Sequence, residues 1–161
     1  MTAISIYIVF SMVAVIIYDV TRYIIPNWLV GSLLVLYPVA VLLSPHTVDW
    51  LMALAAMGVV FILGYIVFAL RLMGGGDIKL ITVCALWVGW SGLLEFIFLT
   101  AMIGGAASIV LWLLRKLIPF LRLTKVPPRI LRPGEPVPYG VAIAAAMLYF
   151  QYLGKLVPLA G

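Results

Sequence analysis

Long apolar stretches separated by short polar breaks run along the whole chain. Most approach the roughly 17–25 residues that an α-helix needs to cross the hydrocarbon core of a bilayer. The fourth stretch is the shortest, and we expect its helix to be tilted or matched by local thinning of the bilayer. The pattern predicts an all-α fold, a single membrane-embedded domain over residues 1–161 with about six transmembrane helices. The predicted helices cover residues 3–18, 28–43, 50–72, 78–89, 93–114 and 139–157.

The composition agrees with a membrane protein and excludes several other classes. Hydrophobic residues make up 66% of the 161 residues and charged residues 9%, whereas soluble domains are about 45–50% apolar and about 25% charged. A soluble enzyme, a disordered tail or a secreted disulfide scaffold would not have this composition. The chain has one cysteine, Cys84, and one histidine, His46. We therefore expect no internal disulfide, no metal centre and no cofactor.

The basic residues predict which way the helices cross the membrane. Six alternating crossings place residues 19–27, 71–79 and 115–138 on one side, and these connections hold nine of the ten Lys and Arg residues. Positive charge is retained on the cytoplasmic side of a membrane. These connections are therefore predicted to be cytoplasmic, with both termini on the outer side. Topology thus explains the net charge of +5, and we expect no nucleic-acid partner.

The longest of these connections, residues 115–138, alternates basic side chains with Leu, Ile, Phe and Val and contains several prolines. Proline interrupts helices, so the segment is predicted to be an amphipathic loop. Such a loop would lie in the headgroup layer, with its bases near anionic lipid. The alternative is that it forms a lid over a site at the membrane face.

Two of the five acidic residues, Asp19 and Asp77, are predicted to lie together at the cytoplasmic boundary. Ionisable groups at membrane depth are costly and are candidates for function. Two neighbouring carboxylates can share a proton, so that one activates a water molecule while the other polarises a carbonyl. In the structural alternative, Asp19 pairs with Arg22 and Asp77 caps the fourth helix. The preceding glycines, residues 74–76, would either let a substrate strand approach closely or form a flexible turn.

Three motifs in the chain resemble those of the type IV prepilin peptidases. The first motif is Asp19 followed by Ile25-Pro26-Asn27, and the second is Gly74-Gly75-Gly76-Asp77-Ile78-Lys79-Leu80. The third is Val137-Pro138-Tyr139-Gly140, at the start of the last predicted helix. A G-x-G-D sequence alone is weak evidence. The ordered set of three, all on the predicted cytoplasmic side, is much more specific.

The resemblance implies a multi-pass aspartyl endopeptidase of the bacterial inner membrane. Such enzymes remove the short basic leader that precedes the hydrophobic helix of type IV prepilins and pseudopilins, cutting on the cytoplasmic side. Asp19 and Asp77 match the catalytic aspartates, and Pro26 and Asn27 match a structural turn. The other matching positions are candidates for substrate binding or motif structure: Gly74, Gly75, Gly76, Lys79, Pro138, Tyr139 and Gly140.

The chain differs from the larger members of the family that it resembles. Those carry a cytoplasmic domain with paired C-x-x-C motifs and also methylate the new N-terminus. Cys84 is the sole cysteine, so methyltransferase activity is not expected, and the size resembles the short peptidases that process Flp-type pilins. Two other functions stay open: a G-x-G-D protease that cuts within transmembrane helices, and a non-enzymatic transporter or assembly subunit of a secretion system.

Overall fold

The computed structural model describes residues 2–120, 129–132, 134–156 and 158–159. Within these ranges the chain forms five α-helices and one short 3₁₀ helix, and no strand. The α-helices are α1 (Thr2–Arg22), α2 (Asn27–Leu42), α3 (Trp50–Ala69), α4 (Gly75–Phe120) and α5 (Tyr139–Tyr152), and the 3₁₀ helix is Arg129–Leu131. The predicted all-helical class is confirmed for these residues.

Three of the helical segments are long and apolar enough to cross a membrane: Ala3–Arg22, Trp50–Ala69 and Gly75–Leu117. Their outward faces are apolar too. On α3, for example, Phe61, Ile62 and Leu63 are each more than half exposed. Contiguous apolar surface on this scale is not stable in water, whereas lipid is a suitable solvent for it. The chain is therefore a helical membrane protein.

Helix α4 is interrupted at Gly89. This residue adopts φ 72° and ψ −179°, a combination that is essentially restricted to glycine. A straight helix of 46 residues would be about 69 Å long at 1.5 Å per residue, more than twice the roughly 30 Å of bilayer hydrocarbon. We refer to residues 75–88 as α4a and to residues 90–120 as α4b.

The chain turns back at Gly89. Along α4b, Phe96 stacks edge-to-face on Phe150 near the end of α5, with ring centroids 5.7 Å apart, whereas Gly104 lies against Tyr139 at the start of α5. Segment α4b therefore runs antiparallel to α5. Segment α4a begins at the same end of the bundle, because its first turn lies beside the first turn of α5. Both ends of α4 thus lie at one end of the bundle, which we call the aspartate end.

The predicted turn between the fourth and fifth helices differs from the structure. The sequence predicted helices over about 78–89 and 93–114, with a turn formed by Gly89, Trp90, Ser91 and Gly92. In the structure residues 90–92 are helical, and Gly89 alone departs from helical geometry. The Ser and Gly residues that suggested a loop can be held in a helix, and a single glycine conformation is sufficient to redirect the chain.

The predicted boundaries also differ toward the C-terminus. Residues 115–120, predicted as loop, extend α4b, and residues 121–128 of that loop lie outside the described residues. The last helix ends at Tyr152 rather than at residue 157. Gly154, with φ 64°, ends it in a Schellman motif, in which the Lys155 N–H donates to the Phe150 carbonyl at 2.9 Å.

Segment α4a is the central element of the bundle. Its residues from Leu80 to Val88 are all buried, and α3, α2 and α5 pack against α4. The Trp87 indole N–H donates to the Leu33 carbonyl at 3.2 Å, and its ring meets Tyr37 edge-to-face at 5.5 Å. This burial fixes the position of α4a, and thereby of its first turn, which carries Asp77.

Candidate active site

The structure brings Asp19 and Asp77 together at the aspartate end. Asp19 lies in the last turn of α1 and is 5% exposed. Asp77 lies in the first turn of α4 and is partly buried. Both carboxylates line the same two clefts, and both lie beside the backbone N–H of Gly140. Residues 58 positions apart in the chain are therefore placed around one small volume.

The N-terminus of α5 points at this pair. The first N–H groups of a helix have no partner within the helix, and they carry its positive dipole end. Here the Val141 N–H donates to Asp19 Oδ2 at 3.2 Å. The N-cap residue is Pro138, which has no N–H and whose side chain makes no capping bond. The Asp19 carboxylate, supplied by another helix, therefore takes the place of a capping side chain for α5.

Gly140 is necessary for this arrangement. A Cβ atom at position 140 would stand 2.7 Å from Asp19 Oδ2 and 2.9 Å from Ile25 Cδ1. Both distances are shorter than real Cβ contacts. Glycine therefore allows the α5 backbone to approach the carboxylate, which explains the glycine in the third motif.

Asp77 occupies the third position of α4 and accepts a hydrogen bond from the Gly74 N–H. This is the reciprocal bond of a capping box, so the structural alternative for Asp77 is present in the molecule. A carboxylate has about four lone-pair sites, so a cap bond leaves capacity for a water or a substrate.

The structural alternative for Asp19, a pair with Arg22, is not observed. No ion pair joins Asp19 and Arg22 in the described part of the chain, and the Arg22 guanidinium lies over the Tyr18 ring at 5.3 Å.

Two clefts meet at the aspartates. The larger has a volume of about 780 Å³ and the smaller about 340 Å³; we call them the wide and the narrow cleft. They share Asp19, Tyr23, Gly74 and Asp77. The wide cleft is otherwise mainly apolar, whereas the narrow cleft is lined by Asn27, Lys79 and the glycine turn. The further residues of the wide cleft are Phe68, Ala69, Arg71, Leu72, Met73, Pro136, Val137 and Tyr139.

The first motif links the helices that carry the site. Pro26 is the N-cap of α2, and Asn27 Oδ1 accepts a hydrogen bond from Lys79 Nζ at 3.2 Å. This bond ties the start of α2 to the start of α4a. The buried side chain of Ile25 lies against Gly76 and Gly140. The Ile-Pro-Asn sequence thus connects the two turns that hold the carboxylates.

The glycines of the second motif leave less room for a substrate strand than the sequence suggested. A Cβ on Gly75 would lie 3.3 Å from Phe68 Cε2, and one on Gly76 would lie 3.4 Å from Ile25 Cβ. Both residues are thus packed against the protein itself, and only Gly74 is exposed. Of the three, Gly74 alone lines both clefts.

Arg115 holds the segment that leads into α5. Its guanidinium donates to the Ile130 carbonyl at 2.9 and 3.1 Å, to the Glu135 carbonyl at 2.7 Å and to the Pro136 carbonyl at 3.0 Å. The same segment contains the ion pair between Arg129 and Glu135, 3.3 Å apart. Pro136 lines the wide cleft, so Arg115 shapes one wall of the cleft without entering it. The sequence analysis used Arg115 only as one of the basic residues that indicate the cytoplasmic side.

We predict that Arg115→Lys loosens this segment. Lysine keeps the charge but lacks the planar fork that reaches three carbonyls. Losing hydrogen bonds worth about 1.5 kcal/mol should raise amide hydrogen exchange over residues 129–136 by roughly tenfold. Lys116→Gln is the matched control, since Lys116 lies over the Trp112 ring. Equal exchange in Arg115→Lys and the wild type would show that the Arg115 hydrogen bonds do not hold this segment.

Tyr23 is a second site residue that the sequence interpretation missed. Its side chain lines both clefts. In the sequence it stands between Asp19 and Ile25 of the first motif. Its phenol carries no charge, so charge counting passed over it. Its place four residues after Asp19 was the available sequence signal.

For a metal, the described residues offer no group of three or more His, Cys, Asp or Glu side chains. The chemical groups available at the clefts are two carboxylates, the phenols of Tyr23 and Tyr139, the cations of Arg71 and Lys79, and helix N–H groups. Two carboxylates around a shared cleft suit general acid–base chemistry.

Comparison with known proteins identifies the family. No curated protein and no solved structure matched the chain. The family model described as the type IV leader peptidase family matches residues 6–109, well over half of the chain, and that range includes Asp19, Asp77 and the first two motifs. The chain belongs to the type IV leader peptidase family.

Proposed function

We propose that the protein is a membrane aspartyl endopeptidase that cleaves the short basic leader from Flp-like type IV prepilins or pseudopilins. The observation that carries the proposal is the meeting of Asp19 and Asp77 at two clefts, beside the Gly140 N–H. Family membership supports leader peptidase activity. The aspartic mechanism is proposed on the geometry of the two carboxylates.

In the proposed reaction the dyad carries one proton. The ionised carboxylate takes a proton from a water molecule as its oxygen attacks the scissile carbonyl carbon, and the protonated carboxyl donates to the carbonyl oxygen. When the tetrahedral intermediate collapses, one of its hydroxyl groups returns a proton to the ionised carboxylate, the C–N bond breaks, and the other carboxyl gives its proton to the leaving amine. The leader leaves with a new carboxyl terminus, and the dyad is restored with one proton. Because coupled carboxylates titrate as a unit, we assign these roles to the pair.

We place the site at the cytoplasmic face of the bacterial inner membrane, with six crossings and both termini outside. The reversal at Gly89 supports counting α4a and α4b as separate crossings. The bases near the site support the orientation: Arg71 and Lys79 line the clefts, and Arg115 and Arg129 organise the loop beside them. These bases would contact anionic lipid headgroups. The apolar side chains of the wide cleft suit the start of the prepilin's hydrophobic helix.

The test is cleavage by the purified protein in lipid. We expect it to remove the leader from an Flp-type prepilin, leaving a single new N-terminus detected by mass spectrometry. An unrelated single-pass helix without a leader serves as the control substrate and should stay intact. Cleavage inside that helix would favour an intramembrane protease. An uncut prepilin would favour a transporter or an assembly subunit.

A further inference from the structure

Tyr23 has an unusual backbone for its size. It directly follows α1 and adopts φ 55°, a left-handed conformation that is uncommon for residues other than Gly, Asn and Asp. Its N–H donates to the Asp19 carbonyl at 3.0 Å. A glycine would form this helix end without strain. The fold therefore holds an aromatic side chain in this place against the local preference of the backbone.

The surroundings hold the Tyr23 ring in position. The Arg129 guanidinium lies 5.0 Å from the ring centroid, and Arg129 is itself paired with Glu135 at 3.3 Å. The ring lines both the wide and the narrow cleft, as do Asp19 and Asp77. Tyr23 is thus fixed from outside the clefts and borders the space in which a substrate would meet the dyad.

The Tyr23 hydroxyl has no hydrogen-bond partner in the described part of the chain, although its oxygen is buried. Buried polar groups are nearly always paired, so an unpaired one at a cleft points to a ligand. Burial, and next the nearby Glu135 carboxylate, raises the pKa of the Tyr23 phenol above its ordinary value. The hydroxyl therefore carries its proton at neutral pH and can donate it in a hydrogen bond.

We propose that the Tyr23 hydroxyl binds the substrate main chain, donating a hydrogen bond to a peptide carbonyl next to the bond that is cut. This inference rests on the proposed function. A peptide running from the narrow to the wide cleft passes both carboxylates and Tyr23, and its carbonyls need donors once water is displaced. Two other donors beside the aspartates already have partners: Lys79 donates to Asn27, and the Val141 N–H donates to Asp19.

The test is Tyr23→Phe, which removes the hydroxyl and keeps the ring beneath Arg129. We expect kcat/KM for leader cleavage to fall by about tenfold to a hundredfold. The Kd of intact prepilin, measured on the inactive Asp77→Asn protein, should rise at least about fivefold when Tyr23→Phe is added. The melting temperature should stay equal or rise, because an unpaired buried hydroxyl is lost. Tyr18→Phe is the matched control, since Tyr18 also lies beneath an arginine but lines neither cleft.

The outcomes separate this inference from the proposed function. Cleavage by the wild type, its loss in Asp77→Asn, and unchanged kcat/KM and Kd in Tyr23→Phe would overturn the role of Tyr23 alone. A lower kcat/KM that comes with a lower melting temperature and an unchanged Kd would also overturn it, since that pattern indicates a structural effect. A wild type that leaves the prepilin intact would overturn both.

Discussion

Asp19→Asn and Asp77→Asn are each expected to reduce leader cleavage at least about a thousandfold while leaving the protein folded in the membrane. Removing the ionisable group deprives the dyad of the proton transfers that activate water and release the amine. Members of a catalytic unit act together, so the double variant should be no worse than either single one. The measurement is single-turnover cleavage of a prepilin by protein reconstituted in lipid.

Asparagine suits this test because it keeps the structural contacts of both carboxyl groups. Its amide oxygen can still accept the Val141 N–H at position 19 or the Gly74 N–H at position 77. The matched control is Asp49→Asn. Asp49 lies in the connection between α2 and α3 and caps α3 by accepting the Met52 N–H at 3.1 Å, and asparagine caps helices equally well. Cleavage should be unchanged in that control. Normal cleavage by a folded Asp19→Asn or Asp77→Asn protein would contradict the dyad.

Much of the fold could be predicted because lipid imposes a simple rule on sequence. A crossing helix must be apolar along its length, so the helices from Thr2 to Ala69 coincide with apolar stretches. The break at Gly89 falls inside the predicted four-residue turn, but the other three residues of that turn are helical. A glycine inside an apolar stretch does not reveal whether it is helical like Gly104 or takes a conformation reserved for glycine.

The sequence predicted only those residues of the candidate site that carry a charge or belong to a motif. Asp19 and Asp77 were identified because carboxylates are rare in this chain and belong to recognisable sequences. The contacts between distant helices could not be predicted, since the bond from Val141 to Asp19 joins residues 122 positions apart. Tyr23 and Arg115 act through geometry that appears only when α1, α4b and the segment before α5 meet.

Gly140→Ala is the other substitution with a large expected effect. The added methyl group would overlap Asp19 Oδ2 and Ile25 Cδ1, at 2.7 and 2.9 Å. The Asp19 carboxylate is fixed by the N-terminus of α5, and Ile25 is buried, so neither can move away freely. Such overpacking typically costs about 1–3 kcal/mol. We expect α5 to shift away from α1 by a fraction of an ångström or more, carrying its N–H groups with it.

Because the proposed dyad depends on placement, a small shift of α5 should reduce cleavage even in protein that remains folded. A misplacement of about 1 Å can reduce a rate about a hundredfold, so we expect cleavage to fall at least that much. Gly31→Ala and Gly105→Ala are matched controls, since a Cβ at either helical position meets nothing within 4 Å. They should cleave normally and be stabilised by up to about 1 kcal/mol. Full activity in Gly140→Ala would mean that contact between α5 and Asp19 is not needed for cleavage. A hundredfold loss in protein that is still folded at the assay temperature would tie the third motif to the chemistry, because the same methyl group is expected to leave cleavage unchanged at the control positions.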